Sequence, residues 1–198
     1  MTYSQKQKTR LSSKRGFTLL EVLFSIGIFS IVMLTAYALF SVAQNTYNQG
    51  GNDIELWQNA RASLDRITRE IRQAQEIATA LPEESGDPLN PPSSEIEFQD
   101  GHDTSQITYI RYYLNGADLM RRSLAYYFSS DPDIYLYSDA LDDFGNPPDE
   151  LILEDSLIGE YFSDLDFWSV NNVVNIYIKL EKANRDIELM TAVYGRNL

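Results

Sequence analysis

The chain has no cysteine and a single histidine in 198 residues. Without cysteine there is no disulfide framework, so an exported domain of this sequence must rely on its core or on bound ions. One histidine and no thiol leave a zinc site almost nothing but carboxylates, an unusual ligand set. Walker loops, GxSxG elbows and HExxH helices are also missing. No catalytic constellation is legible, so no enzyme is expected, and energy for any assembly step must come from another protein. His102, between Gly101 and Asp103, reads as a surface-loop residue. Bases are scarce as well: 16 Lys and Arg stand against 29 Asp and Glu, a formal charge of −13. That balance fits poorly with direct nucleic-acid binding, which needs phosphate neutralisation. Its simplest role is solubility.

Charge and proline are both missing from Val22 to Ala43. A helix of these residues would be about 33 Å long at 1.5 Å per residue, enough for a hydrocarbon core of about 30 Å. The preceding residues 1–16 carry Lys6, Lys8, Arg10, Lys14 and Arg15 and no acid. Positive flanks stay cytoplasmic, which places everything after Ala43 outside the inner membrane. Glu21 is the anomaly, because an ionised acid at mid-membrane costs about 2.5–3.5 kcal/mol on insertion scales and less near an interface. Intramembrane acids are functional by default, so a partner is expected for it. Ala36-Tyr37-Ala38 offers the A-x-A site of an ordinary secretory signal. The apolar run continues past it and exceeds the ~7–15 residues of a signal-peptide core, which argues against that reading.

The stretch Lys14-Arg15-Gly16-Phe17-Thr18-Leu19-Leu20-Glu21-Val22-Leu23 resembles the signal shared by type IV pilins and the pseudopilins of type II secretion. The resemblance implies that a prepilin peptidase cuts between Gly16 and Phe17 and methylates the new N-terminal Phe17. Glu21 then stands at the fifth mature position. In a filament its carboxylate would pair with the Phe17 amine of a neighbouring subunit, offsetting burial of both charges and fixing axial register. Removing the leader leaves 182 residues with 11 bases against 29 acids, a formal charge of −18. That length fits one domain plus its stalk. Major pilins usually carry a C-terminal disulfide; this chain departs from them and is closer to pseudopilins and minor pilins.

A second helical pattern follows Gly50-Gly51. Asn52 is a plausible N-cap with Glu55 three residues on. Ile54, Trp57, Ala60, Leu64, Ile67, Ile71, Ala74 and Ala78 recur at steps of three or four, the core stripe of an amphipathic helix. Arg61, Arg66, Arg69 and Arg72 lie off that stripe and read as a solvated, salt-bridged face, with Arg66–Glu70 a weak i,i+4 pair. In the family picture both segments form one stalk, and Gly50-Gly51 marks a kink or a melted turn.

Residues 81–94 hold Pro82, Gly86, Pro88, Pro91 and Pro92 and read as a linker. Strands are expected over 95–99, 106–114 and 117–124, with a type I′ hairpin at Asn115-Gly116. Further strands are expected over 134–137, 151–153, 161–170, 174–181 and 187–194, with turns at Asn171-Asn172 and Ala183–Asp186. The last segments close one sheet. The expected architecture is α+β: a long N-terminal helix, transmembrane then amphipathic, packed on an antiparallel sheet head. The expected segments are a removed leader (1–16), a transmembrane and filament-packing helix (17–43), a stalk helix (44–80) and a periplasmic β-rich head (81–198).

The runs RASLDRITREIRQA (61–74), YYLNGADLMRR (112–122) and TAVYGRN (191–197) resemble those of the J-type minor pseudopilin of type II secretion, or of PilW-type minor pilins. This implies prepilin peptidase, sister minor and major pseudopilins or pilins and an inner-membrane assembly platform as partners. The chain would cross the inner membrane once, with its head in the periplasm. Asp139, Asp142 and Asp143, with Asp149 and Glu150, offer oxygen ligands for calcium, but EF-hand spacing fails at Leu141. A solvated acidic loop is the simpler expectation, and no cofactor is expected. Two other roles fit the same sequence: a minor pilin of a surface pilus serving adhesion, motility or DNA uptake, or a membrane-anchored binding domain outside any filament.

Overall fold

The computed structural model describes residues 16–102 and 106–195. The chain forms two compact units, Met1–Asn48 and Gln49–Leu198. Helix α1 is assigned from Leu19 to Gln73, so its first part belongs to one unit and its last part to the other.

In the first unit the helix presents apolar side chains outward on every side. Leu19, Leu23, Leu34 and Leu39 are among those more than half exposed, and none of the most apolar 18-residue stretch is buried. A helix that is apolar all round belongs in lipid or among other helices. Four of its hydroxyls find partners within the helix itself. Ser25 donates to the Glu21 carbonyl at 2.7 Å, Ser30 to Ile26 at 2.8 Å, Thr35 to Val32 at 2.8 Å and Thr46 to Val42 at 3.0 Å.

In the second unit the helix buries Leu56, Ala60, Ser63, Leu64, Ile67, Glu70 and Ile71, followed by Ala74 just beyond its end. The expected stripe holds from Ala60 to Ala74 and is corrected at its two ends, Ala78 being exposed beyond the helix. Ile54 and Trp57 are exposed, and Leu56 takes the core position. Gly50 and Gly51 are helical rather than a melted turn, and Asn52 lies inside the helix rather than capping one. The helix also stops at Gln73 instead of running to residue 80. Tertiary pairing overrides helical periodicity there. Residues 75–79 run beside a strand, with Gln75 N–H donating to the Gln99 carbonyl, Gln99 to Glu76 at 2.8 Å and Ala78 to Glu97 at 2.8 Å.

Eight strands follow: β1 Ile96–Gln99, β2 Tyr109–Asn115, β3 Asp118–Phe128, β4 Asp131–Leu136, β5 Asp149–Gly159, β6 Phe162–Val170, β7 Val173–Lys182 and β8 Arg185–Tyr194. They make two antiparallel sheets, where the sequence reading expected one. In the larger, β1, β2 and β3 pair in order; β4 continues along the β2 edge of β3, and β5 runs along the opposite edge. The smaller sheet is β6-β7-β8. All four residues of β1 are buried, and chain 75–79 covers its outer edge. The Asn115↔Asp118 pairing makes Gly116-Ala117 the hairpin loop. Of these two only Gly116 has positive φ, at 65°, which fits a type II′ turn and excludes the expected type I′. Type I′ chemistry is present instead at Asn171-Asn172 (φ 49° and 62°) and at Ala183-Asn184 (φ 49° and 63°).

One core joins the helix to both sheets. Ile67 and Ile71 of α1, Phe98 and Tyr112 of the larger sheet, and Phe167, Ile176 and Ile178 of the smaller are fully or almost fully buried within it. Each such side chain contributes about 1.5–3 kcal/mol relative to exposure. One polar atom sits badly there. The Ser63 hydroxyl is buried with no hydrogen-bond partner among the described residues. An orphaned hydroxyl costs about 1–3 kcal/mol. Ser63→Ala should therefore raise the melting temperature by about 2–4 °C, as expected for ~1 kcal/mol in a chain of this size. A lower melting temperature by calorimetry would show that Ser63 has a partner.

Candidate functional site

The sequence concentrates its chemistry at Gly16, Phe17 and Glu21. Gly16, Phe17 and Thr18 precede the helix in non-regular backbone. Gly16 is open on all sides: a Cβ built on it meets no heavy atom within 4 Å. Phe17 is 83 % exposed and lines a shallow apolar hollow with Val22, Ser25, Ile26 and Phe29. The bond between Gly16 and Phe17 is thus accessible. The rest of the leader, residues 1–15, lies outside the described residues.

Thr18 begins the helix. Its Oγ1 accepts the Glu21 N–H at 3.2 Å, and its carbonyl accepts the Val22 N–H at 3.2 Å. Thr18 is therefore the N-cap and Glu21 the third helical residue, the spacing of a capping box. The sequence reading gave Glu21 a register role only and did not use Thr18. The T-x-x-E spacing was the available signal. An acid in the first turn also faces the positive end of the helix dipole. Glu21 thus has a local reason to be tolerated, in addition to any partner across a filament.

Two polar networks organise the head. Glu70, read as a surface acid, is buried. It accepts a hydrogen bond from Tyr112 Oη at 2.8 Å, from Arg121 Nε at 2.9 Å and from Arg66 Nε at 3.3 Å. Helix and sheet are joined through one carboxylate. Burial, then the Glu70 charge, pushes the Tyr112 phenol well above its ordinary range, so it remains a donor. On the other face of the larger sheet, Arg111 donates to Glu97 at 2.6 Å, to Glu150 at 2.8 Å and to Tyr126 at 3.2 Å. Tyr126 donates in turn to Glu97 at 2.7 Å. Burial works against the Arg111 charge, but Glu150 and Glu97 outweigh it and hold the guanidinium protonated. These groups saturate one another, which is the pattern of structural networks.

Three of the acidic residues considered for calcium, Asp142, Asp149 and Glu150, are occupied locally. Asp142 closes its own turn, accepting from Phe144 N–H at 2.9 Å and from Asn146 N–H at 2.8 Å and Nδ2 at 2.9 Å. The Asn146 bonds hold its carboxyl below the usual range. Asp149 accepts from Ser129 at 2.6 Å, and Glu150 belongs to the Arg111 network. Asp143 lies within this turn and Asp139 three residues before it. Among the described residues no group of three or more His, Asp or Glu side chains is placed to hold a metal ion. His102 is exposed and lies 2.7 Å from Asp100.

The expected arginine face is solvated at Arg61, Arg69 and Arg72 and the Arg66–Glu70 pair forms, but the face is otherwise not salt-bridged. Arg66 is drawn toward the buried Glu70, and Arg61 lies 5.4 Å from the Trp57 ring. Among the described residues no ion pair is formed by Arg61, Arg69 or Arg72.

Comparison with known families agrees with the N-terminal geometry. The model of the prokaryotic N-terminal methylation motif matches residues 11–37. That span covers Lys14 and Arg15, the Gly16–Phe17 bond, Glu21 and most of the apolar run. A search of curated proteins finds no match. The motif, the helix and the β-sheet head together support a type IV pilin-like subunit, with processing by prepilin peptidase and assembly with other such subunits. The apolar helix fits membrane anchoring.

Proposed function

We propose that this chain is a minor pseudopilin of a type II secretion pseudopilus, resembling the J-type subunit and working in the complex that initiates the filament. The observation that carries this reading is the methylation motif spanning the Gly16–Phe17 bond and the start of an apolar helix that no described residue of its own unit covers. Prepilin peptidase would cut between Gly16 and Phe17 and methylate Phe17. The helix would anchor the chain once in the inner membrane and later pack in the filament, with Glu21 setting register. The head would sit in the periplasm and contact sister minor subunits. The role is structural and calls for no cofactor.

Deleting the gene and measuring two outputs in one strain tests this. The expected result is loss of enzymes released to the medium with surface filaments intact. Lost filaments with normal secretion would instead make the chain a minor pilin of a type IV pilus, and the J-type reading would fall. The processing step has its own check: the mass of the membrane-extracted chain should correspond to a methylated N-terminal Phe17.

A further inference from the structure

The geometry points to the outer edge of β8 as a pairing surface for a second copy of this chain, joining two smaller sheets antiparallel about Met190. The other strand edges are closed or blunted. Chain 75–79 covers β1, and Ser93 and Pro82 bond to the backbone of β6. β4 is short and carries Pro132 between Asp131 and Asp133. β5 meets β3 through two bulges and carries Asp149, Glu150, Glu154 and Asp155. Bulges, proline, short length and charge are the usual means of keeping an edge from pairing. β8 is different. Its 10 residues run against β7 without a bulge, and among the described residues it pairs with β7 alone. From Leu189 to Tyr194 it has no charge, proline or glycine. Its charges gather in the first half, where Arg185 turns to Asp53 and Glu188 to Lys179, each at 3.6 Å.

The β7–β8 hairpin fixes which backbone groups are free. Lys182 and Arg185 close the two-residue loop Ala183-Asn184, so they exchange both of their backbone bonds. Bonding to β7 then recurs at the odd-numbered residues, and Asp186, Glu188, Met190, Ala192 and Tyr194 direct N–H and C=O to the open edge. Their side chains stand on the exposed face, with Met190 at 67 % and Tyr194 at 65 % exposure. Ile187, Leu189, Thr191 and Val193 turn toward the core.

Register and charge select the occupant. A twofold axis through Met190, perpendicular to the sheet, brings free groups against free groups. Met190 meets Met190 of the second copy, Glu188 meets Ala192 and Asp186 meets Tyr194. No like charges are opposed, which is the condition for a stable strand pair. The same axis keeps both core faces on one side, setting Leu189 opposite Thr191 and Ile187 opposite Val193. A strand rich in one charge finds no counter-charge along the uncharged half of β8. A second copy matches that half residue for residue, with main-chain bonds supplying affinity as in other strand additions. Such pairing is independent of whether the chain serves secretion or a pilus.

The chain has no cysteine, so one introduced thiol reports on one position. The test uses the full chain in detergent micelles with a mild chemical oxidant. In the proposed pair the two Met190 Cα atoms lie about 5.5 Å apart, within the range of about 4.4–6.8 Å that a disulfide spans. Ala192 faces Glu188 instead and stands about 14 Å from its own counterpart. Met190→Cys should therefore form a disulfide-linked dimer about tenfold faster, or more, than Ala192→Cys. Glu188→Cys combined with Ala192→Cys should link as Met190→Cys does. Ala192→Pro removes a donor only from the open edge, so the β7–β8 ladder and the melting temperature should survive it. Added to Met190→Cys, it should slow linking by about tenfold, the worth of the backbone bonds lost in both copies. Equal linking of Met190→Cys and Ala192→Cys would show collision of chains in the micelle and overturn the proposal. So would the absence of linking by Met190→Cys, or linking that Ala192→Pro leaves unchanged.

Discussion

Glu21→Ala should leave a chain that inserts in the membrane as well as the parent, or better, yet is lost from filaments. The gain in insertion follows from removing an acid worth up to about 3 kcal/mol against transfer. The loss follows from the other charge. A processed chain carries a positive amine on Phe17, and packing it among apolar helices without a carboxylate costs several kcal/mol. A deficit of that size is a hundredfold or more in incorporation, since ~1.4 kcal/mol is a factor of ten. Subunit content of sheared or purified filaments, compared with content in the membrane, measures it. The helix start supplies a control. Thr18 accepts from the backbone N–H of residue 21, so the cap survives the alanine change. Thr18→Ala removes the cap, costs about 1 kcal/mol of local helix stability and keeps the charge. If Thr18→Ala abolished incorporation while Glu21→Ala did not, the charge-pairing role would be wrong and capping would replace it.

Glu70→Ala should destabilise the head more than any surface substitution. Glu70 is the shared acceptor for Tyr112 and Arg121 in the buried contact between helix and larger sheet. Removing it leaves a guanidinium and a phenol without their acceptor, and breaking a buried pair from one side costs about 3–5 kcal/mol. For a chain of this length that lowers the melting temperature by roughly 10 °C. Tyr112→Phe removes one hydrogen bond but leaves Arg121–Glu70 intact, so its effect should be smaller, about 1–2 kcal/mol. Glu76→Ala, at an exposed position, should stay within about 0.5 kcal/mol. Thermal unfolding of the four proteins ranks them. If Glu70→Ala melted within about 2 °C of the parent, the network would be ornamental to stability.

What was legible in the sequence follows from which forces are local. Lys14 to Leu23 and the uncharged run beyond declare themselves because cleavage signals and membrane spans are linear features. The alternation Val174, Ile176, Ile178, Leu180 also reads directly, and all four are buried in β7. Long-range terms were not legible. The hydrophobic stripe reads correctly from Ala60 to Ala74, but at its N-terminal end Leu56 rather than Ile54 or Trp57 meets the core. Glu70 looks like half of a surface ion pair until Tyr112 and Arg121, 42 and 51 residues away, arrive beside it. β5 read as a three-residue strand because its acids break the pattern; pairing with β3 extends it to 11 residues. Asn115-Gly116 gave the hairpin correctly and its turn type wrongly, since register set by the whole β2–β3 ladder moved the loop by one residue.

Every hydroxyl from Ser25 to Thr35 for which a bond is described points home, to a carbonyl one turn earlier on its own helix. Over that stretch the helix asks nothing polar of whatever surrounds it. Lipid tails and the apolar flanks of other helices are interchangeable neighbours to it, so trading one for the other leaves no side-chain hydrogen bond to break or remake. A subunit that must leave a bilayer to join a polymer gains from this indifference. The charge that still needs a partner during that passage is at the N-terminal end, where Glu21 stands in the first turn.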